Sequence, residues 1–299
     1  MKHLLIPAFL VCCPFAQAVI YYGGDGAGNT TVPVGDQGFS NVGSVNGTSC
    51  VYLGNYSTGN WVITALHVWG GGASTISLGG IDYSIVAGSN VQIGGADLMM
   101  FQIEDNQNTL SSLSNLAIAS STPTTGTAVT MIGNGRNRAA SLTSWNVDQS
   151  TDPWTWTEAS MGADITGYKW ASGQAIRWGT NTVSGTNTVS IGYGPTETFY
   201  TVFQNELNSA QGAIGDSGGG VFVKNGDEWE LAGTMITIGT YKDQPGETAI
   251  LGNETYMADL SVYRNEIMAL IPETNTLLPV AGVGAVAAMI GMAVRRRRR

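Results

Sequence analysis

The chain has 299 residues, 43% hydrophobic and 12% charged, which is enough for a sizeable core and too little charge for an intrinsically disordered chain. Its 41 glycines are about twice the ordinary usage of roughly 7%, which counts against a helical bundle, where each interior glycine costs ~1 kcal/mol relative to alanine. A net charge of −9 excludes a nucleic-acid binder that works through a broad basic face.

Residues 1–18 read as a secretory signal. Lys2 is the cationic start, residues 4–15 are the apolar stretch, and Ala16-Gln17-Ala18 is a small-x-small cleavage site. Cys12, Cys13 and His3 leave with it. Cys50 is then the lone cysteine, so no internal disulfide forms, and its expected role is that of a small core residue.

From Val19 onward, short apolar runs recur between turn signals, with no repeat or linker to divide residues 19–271. Residues 61–66 and 98–103 are two such runs. Residues 129–132 lead into Gly133-Asn134-Gly135, and residues 199–203 and 221–223 follow. Asn225-Gly226 then turns the chain into residues 229–238, a hairpin signal. The stretch 148–198, rich in Trp, Thr, Gly and Asn, is expected to hold long loops between strands. Its Trp154 and Trp156 are packing anchors or contacts for a polymer. Leu260, Tyr263, Ile267 and Leu270 repeat at helical spacing, with Asp259 as the expected N-cap. The prediction is an all-β body with one terminal helix.

Residues 277–294 carry no charge and are long enough to cross the hydrocarbon layer; Arg295 to Arg299 end the chain. The positive-inside rule places the arginines in the cytoplasm and the body outside. All 22 acids fall between Asp25 and Glu273, where only seven bases accompany them, so the body is strongly acidic at −15. Acidity of this kind suits solubility in salt or a cationic partner.

Three places carry chemistry. His67, the only histidine of the body, closes the apolar run 61–66, and a neutral imidazole is the commonest general base near pH 7. Asp97 opens the run 98–103, and a carboxylate entering a core needs a partner. Ser217 lies within Gly215-Asp216-Ser217-Gly218-Gly219-Gly220, where an uncrowded backbone lets a substrate carbonyl approach the amides of Gly215 and Ser217. Taken singly, each has a bland counterpart: a structural histidine, a strand-capping aspartate, a glycine-rich turn.

Together they resemble the trypsin-like, chymotrypsin-fold serine proteases. Thr64-Ala65-Leu66-His67 matches the family's Thr-Ala-x-His signature, Asp97 and its apolar run match an Asp-Ile-Ala-Leu-Leu-like strand, and 215–219 matches Gly-Asp-Ser-Gly-Gly. The chain order His, Asp, Ser is also this family's. The resemblance implies two six-stranded antiparallel β-barrels with a C-terminal helix over residues 19–271. It implies a His67–Asp97–Ser217 triad with no metal or cofactor, and an oxyanion hole from the amides of Gly215 and Ser217. Gln211, six before the serine, falls at the floor of the family's specificity pocket. Thr237, Ile238 and Gly239 look like the segment that pairs with substrate. A new N-terminus at Val19, exposed by signal cleavage, is expected to pair with Asp216. Val68 stands where many animal members carry cysteine, so the disulfide beside the histidine is missing.

The tail 272–299 resembles the PEP-CTERM sorting segment of Gram-negative bacteria, with Thr274 in place of the motif's second proline. That likeness implies export through the inner membrane, membrane attachment by residues 277–294, and release by an exosortase-type enzyme. The expected activity is that of an exported serine endopeptidase acting on protein or peptide. The alternative is a catalytically silent binding module on the same fold, displayed at the envelope or in extracellular matrix.

Overall fold

Short, largely buried strands organise the chain from its first described residues, beginning with Ile20–Tyr21. The computed structural model describes residues 19–70, 72–160 and 162–272. The predicted signal, membrane span and terminal arginines lie outside the described residues. Among the described residues, no helix is long and apolar enough to cross a membrane.

The N-terminal half is one seven-stranded sheet, ordered Ile81–Ser84, Thr75–Leu78, Val42–Val45, Thr48–Tyr56, Gly59–Thr64, Met99–Ile103, Val91–Gln92. Every pairing in it is antiparallel. It curls into a half-barrel, and its first strand is brought back towards Met99–Ile103 by a single Ile85–Ile103 bridge. The terminal strand Val91–Gln92 has only two residues, too few to complete a closing ladder. Val51, Leu53, Val62, Ile63 and Phe101 are fully buried, with Val51 and Ile63 paired on one face of the sheet and Val62 and Phe101 on the other.

The C-terminal half closes completely. Ala128–Gly133, Arg177–Val189, Thr196–Val202, Glu254–Asp259, Glu228–Gly239 and Gly220–Asn225 follow one another around a six-stranded antiparallel barrel. Closure comes from Gly220–Asn225, which pairs on one side with Ala128–Gly133 and on the other with Glu228–Gly239. Met131, Val183, Phe199, Val221 and Met257 fill the interior. The hairpin signalled by Asn225-Gly226 is formed, and Gly226 takes the left-handed φ of +61° that its turn requires. A mostly-β body with two barrel-like halves and a terminal helix is therefore the observed architecture, as the sequence leads one to expect.

Two local expectations are corrected. The stretch 148–198 is not a set of long loops. It holds Thr155–Ala159, the ten-residue Ile165–Gln174 and the thirteen-residue Arg177–Val189. The first two join Arg136–Arg138, Thr143–Asp148 and Thr248–Ile250 in a third sheet. Threonines and asparagines obscure these strands in the sequence; the period-two burial in the first half of Arg177–Val189 emerges only once partners cover one face. The terminal helix is Arg264–Leu270, shorter than predicted. Asp259 does not cap it: that residue ends a strand, and its carboxylate accepts the N–H and hydroxyl of Ser261.

Candidate active site

His67 does not end a strand. The strand stops at Thr64, whose hydroxyl donates to the Ser49 carbonyl at 2.8 Å, and the chain turns at once into a short helix, Leu66–Trp69. This turn lifts His67 out of the sheet and leaves its side chain 22% exposed. Asp97 meets it there. One carboxylate oxygen lies 2.7 Å from His67 Nδ1, and the other accepts the His67 backbone N–H at 2.8 Å. Asp97 itself is fully buried, and its own N–H donates to Thr196 Oγ1 at 2.9 Å, a contact from the opposite barrel. With both oxygens committed, the carboxylate fixes the ring's orientation. It also fixes the tautomer that carries hydrogen on Nδ1, leaving Nε2 as a base.

The glycine-rich loop is stitched to both halves. Ser49 N–H donates to the Ser217 carbonyl at 3.0 Å, and Ser49 Oγ donates to the Gly215 carbonyl at 2.8 Å. From the other side, Gly218 N–H donates to the Met235 carbonyl at 2.8 Å. Gly218, with φ +86°, packs so tightly on the Ser49 carbonyl and Thr64 Oγ1 that a Cβ there would overlap both. Since Thr64 lies three residues before His67, the loop of Ser217 and the helix of His67 share a floor. The amides of Gly215 and Ser217 donate to no other described group, as an oxyanion hole requires. Ser217 Oγ makes no hydrogen bond among the described residues, so the structure shows the His67–Asp97 pair but no bond from the serine to the ring.

Asp216 is buried beneath this loop. It accepts the N–H groups of Ala213 at 2.8 Å, Gly135 at 2.8 Å and Val19 at 3.3 Å. Burial pushes its carboxyl up to about 7, with the three amides and Arg177 acting in the opposite direction. Val19 and Asp216 are thus in contact. So are the strand segments behind them, since Ile20 pairs with Gln211.

The N-terminal segment is held by a residue that the sequence did not single out. Arg138, 4% exposed, donates through Nε to the Tyr21 carbonyl at 2.9 Å, and through Nη2 to the carbonyls of Gly23 and Gly24. Its guanidinium lies 3.9 Å from the Tyr168 ring centroid. No local pattern flags it; scarcity of body arginines was the only signal.

Beside Ser217 lies a narrow cleft of about 20 Å³ bounded by Ala213, Met235, Thr237, Ile238 and Thr255. Of the predicted substrate-contacting residues, Thr237 and Ile238 line it, whereas Gln211 and Gly239 do not. Gln211 sits just before Gly212 in its wall, fully buried, with both side-chain amide atoms unpartnered. Thr255 and Ala213 are lining residues that sequence reasoning missed, because neither belongs to a motif. Cys50 is fully buried and its thiol is pushed up to about 12 by that burial, which makes it inert packing.

No family model matches the chain, and no curated protein matches it. Solved structures do. A double mutant of human heparin binding protein (CAP37) is 14% identical, with 80% of this chain and 94% of that chain covered and a TM-score of 0.50. Neuropsin, a serine protease expressed in the limbic system of mouse brain, is 14% identical over 81% of this chain and 97% of its own, with a TM-score of 0.47. A serine-to-alanine mutant of Rv3671c from M. tuberculosis H37Rv, in an inactive form, is 13% identical over 87% and 99%, with a TM-score of 0.48. At these identities the likeness is one of fold: the architecture is the chymotrypsin fold.

Proposed function

We propose that this chymotrypsin-fold chain is an exported serine endopeptidase. The observation that carries the reading is the buried Asp97 carboxylate 2.7 Å from His67 Nδ1, with the Ser217 loop sharing the floor of that histidine. Ser217 Oγ attacks a peptide carbonyl while His67 Nε2 takes its proton. The amides of Gly215 and Ser217 hold the oxyanion. The carbonyl re-forms, the C–N bond breaks, and His67 returns the proton to the leaving amine. Water then repeats the sequence on the acyl-enzyme, releasing the acid and restoring the serine. Asp97 stabilises the imidazolium throughout. Export by residues 1–18 and membrane attachment by residues 277–294 belong to the same proposal; their support is the sequence pattern at each end.

The test is a fluorophosphonate label on the purified protein beside Ser217→Ala and His67→Ala. Wild type is expected to label stoichiometrically and to hydrolyse a peptide library. Each variant is expected to lose on the order of 10⁶ in turnover. Labelling of equal extent in all three proteins would falsify the assignment.

Cleavage after Ala18 is proposed to complete the site. While the Ala18–Val19 bond is intact, Val19 holds a φ of +28°, which is costly for a β-branched residue, and offers Asp216 only a neutral amide. Asp216 then keeps its proton up to about pH 7, above its ordinary 3.8. Between those values the folded chain binds more protons than the unfolded one, so its stability falls as pH rises. Cleavage removes the φ constraint and puts an α-ammonium beside the carboxylate, which lowers the Asp216 pKa and removes the slope. The melting temperature of the uncut precursor is therefore expected to drop from pH 4 to pH 7, and that of the protein beginning at Val19 is not. Parallel profiles for the two would count against the pairing.

A further inference from the structure

The third sheet carries a cleft of about 600 Å³, walled by Trp145, Trp156 and Trp170 and by the side chains of Glu158, Lys169 and Glu247. Both of its walls are continuations of segments that build the candidate active site. Strand Ile165–Gln174 pairs with Arg136–Arg138, which follows directly on the Gly135 amide bound to Asp216. The loop bearing Glu247 continues from strand Glu228–Gly239, whose Thr237 and Ile238 line the cleft beside Ser217, and re-enters the sheet at Thr248–Ile250.

The charge inside the cleft is unbalanced. Lys169 is paired with Glu158. Glu247 is exposed, and among the described residues no lysine or arginine lies within ion-pair distance of it. Nearby Lys242 is itself committed to Asp152 at 2.7 Å. Trp156 is fixed by its Nε1–H, which donates to the Lys242 carbonyl at 3.1 Å, and by the ring of Tyr241 at 6.1 Å. The indole Nε1–H of Trp170 is buried without a partner. Aromatic faces beside an uncompensated carboxylate attract a cation. The body's net charge of −15 draws the same class of partner from a distance.

We propose that this cleft is an exosite that binds a basic stretch, carrying arginine or lysine, of the polypeptide whose scissile bond lies at Ser217. This rests on the endopeptidase reading for its role, but the binding itself does not depend on catalysis. Indole faces also stack on sugars. The uncompensated carboxylate decides for the cation here, and the sugar becomes an outcome of the test.

The experiment uses the Ser217→Ala protein, which binds without hydrolysing, and follows its tryptophan fluorescence. Hexa-arginine, a Gly-Ser peptide of equal length and a neutral gluco-oligosaccharide are titrated in turn. Hexa-arginine is expected to give a saturable change. Its Kd should rise about tenfold or more, equivalent to ~1.4 kcal/mol, in Glu247→Gln and in Trp156→Ala. Because Glu247 is exposed, its variant folds even if the tryptophan variant does not. No saturable change with hexa-arginine, an unaltered Kd in Glu247→Gln, or tighter binding of the oligosaccharide overturns the proposal. Fluorophosphonate labelling of the wild type, read separately, shows whether the endopeptidase reading has failed instead.

Discussion

Replacing Asp97 by asparagine is expected to lower kcat by about 10⁴ near neutral pH while leaving the fold and KM little changed. The amide can still accept the His67 backbone N–H, which Asp97 Oδ1 accepts at 2.8 Å. Its NH₂ group, however, would face Nδ1, now 2.7 Å from a carboxylate oxygen. A donor there favours the tautomer with hydrogen on Nε2, and that nitrogen can no longer take the serine proton. The imidazolium also loses its counter-charge. Raising the pH should recover part of the activity as hydroxide takes over as base, which a pH–rate profile of Asp97→Asn beside wild type would show. A loss of only a few-fold would mean that Asp97 is a structural anchor for the His67 helix and nothing more.

Arg138→Ala is expected to destabilise the chain by about 3–5 kcal/mol, read as a shift of the urea midpoint. The change leaves the carbonyls of Tyr21, Gly23 and Gly24 without their donor and opens a void against Tyr168. Its effect should be concentrated at the N-terminal segment. Amide exchange at residues 20–24 should accelerate more than exchange in the closed barrel, because these residues rely on Arg138 and on the short Ile20–Tyr21 ladder. Arg138→Lys should restore less than half of the loss, since an ammonium lacks the planar fork that reaches several carbonyls and stacks on a ring. As Val19 reaches Asp216 only through this segment, the alanine variant should also label more slowly with fluorophosphonate. Uniform exchange across the molecule would assign Arg138 to general packing.

The candidate site residues were legible because their side chains leave short local patterns. Thr64-Ala65-Leu66-His67 and the glycine run around Ser217 are constrained by backbone approach and by a scarce residue type, and both can be read within a few positions. The Asn225-Gly226 hairpin is legible for the same reason. The strands between 148 and 198 were not, since polar, β-branched sequence becomes strand only when a partner covers one face. The helical turn under His67 follows a strand end where Thr64 donates to the Ser49 carbonyl, and the missing cap at Asp259 reflects the N–H that Ser261 donates to it; no periodicity encodes either bond.

What the sequence determined alone was therefore a β-rich acidic body and a candidate set for the proposed chemistry: one imidazole, one carboxylate and one hydroxyl in a recognisable order. Only the tertiary structure decided which groups hold them. Thr196 reaches Asp97 across 99 positions, Arg138 reaches Tyr21 across 117, and Val19 reaches Asp216 across 197. Contacts of that separation arise when closed and curled sheets bury polar groups that must then find partners, and such partners are fixed by geometry rather than by neighbours in the chain.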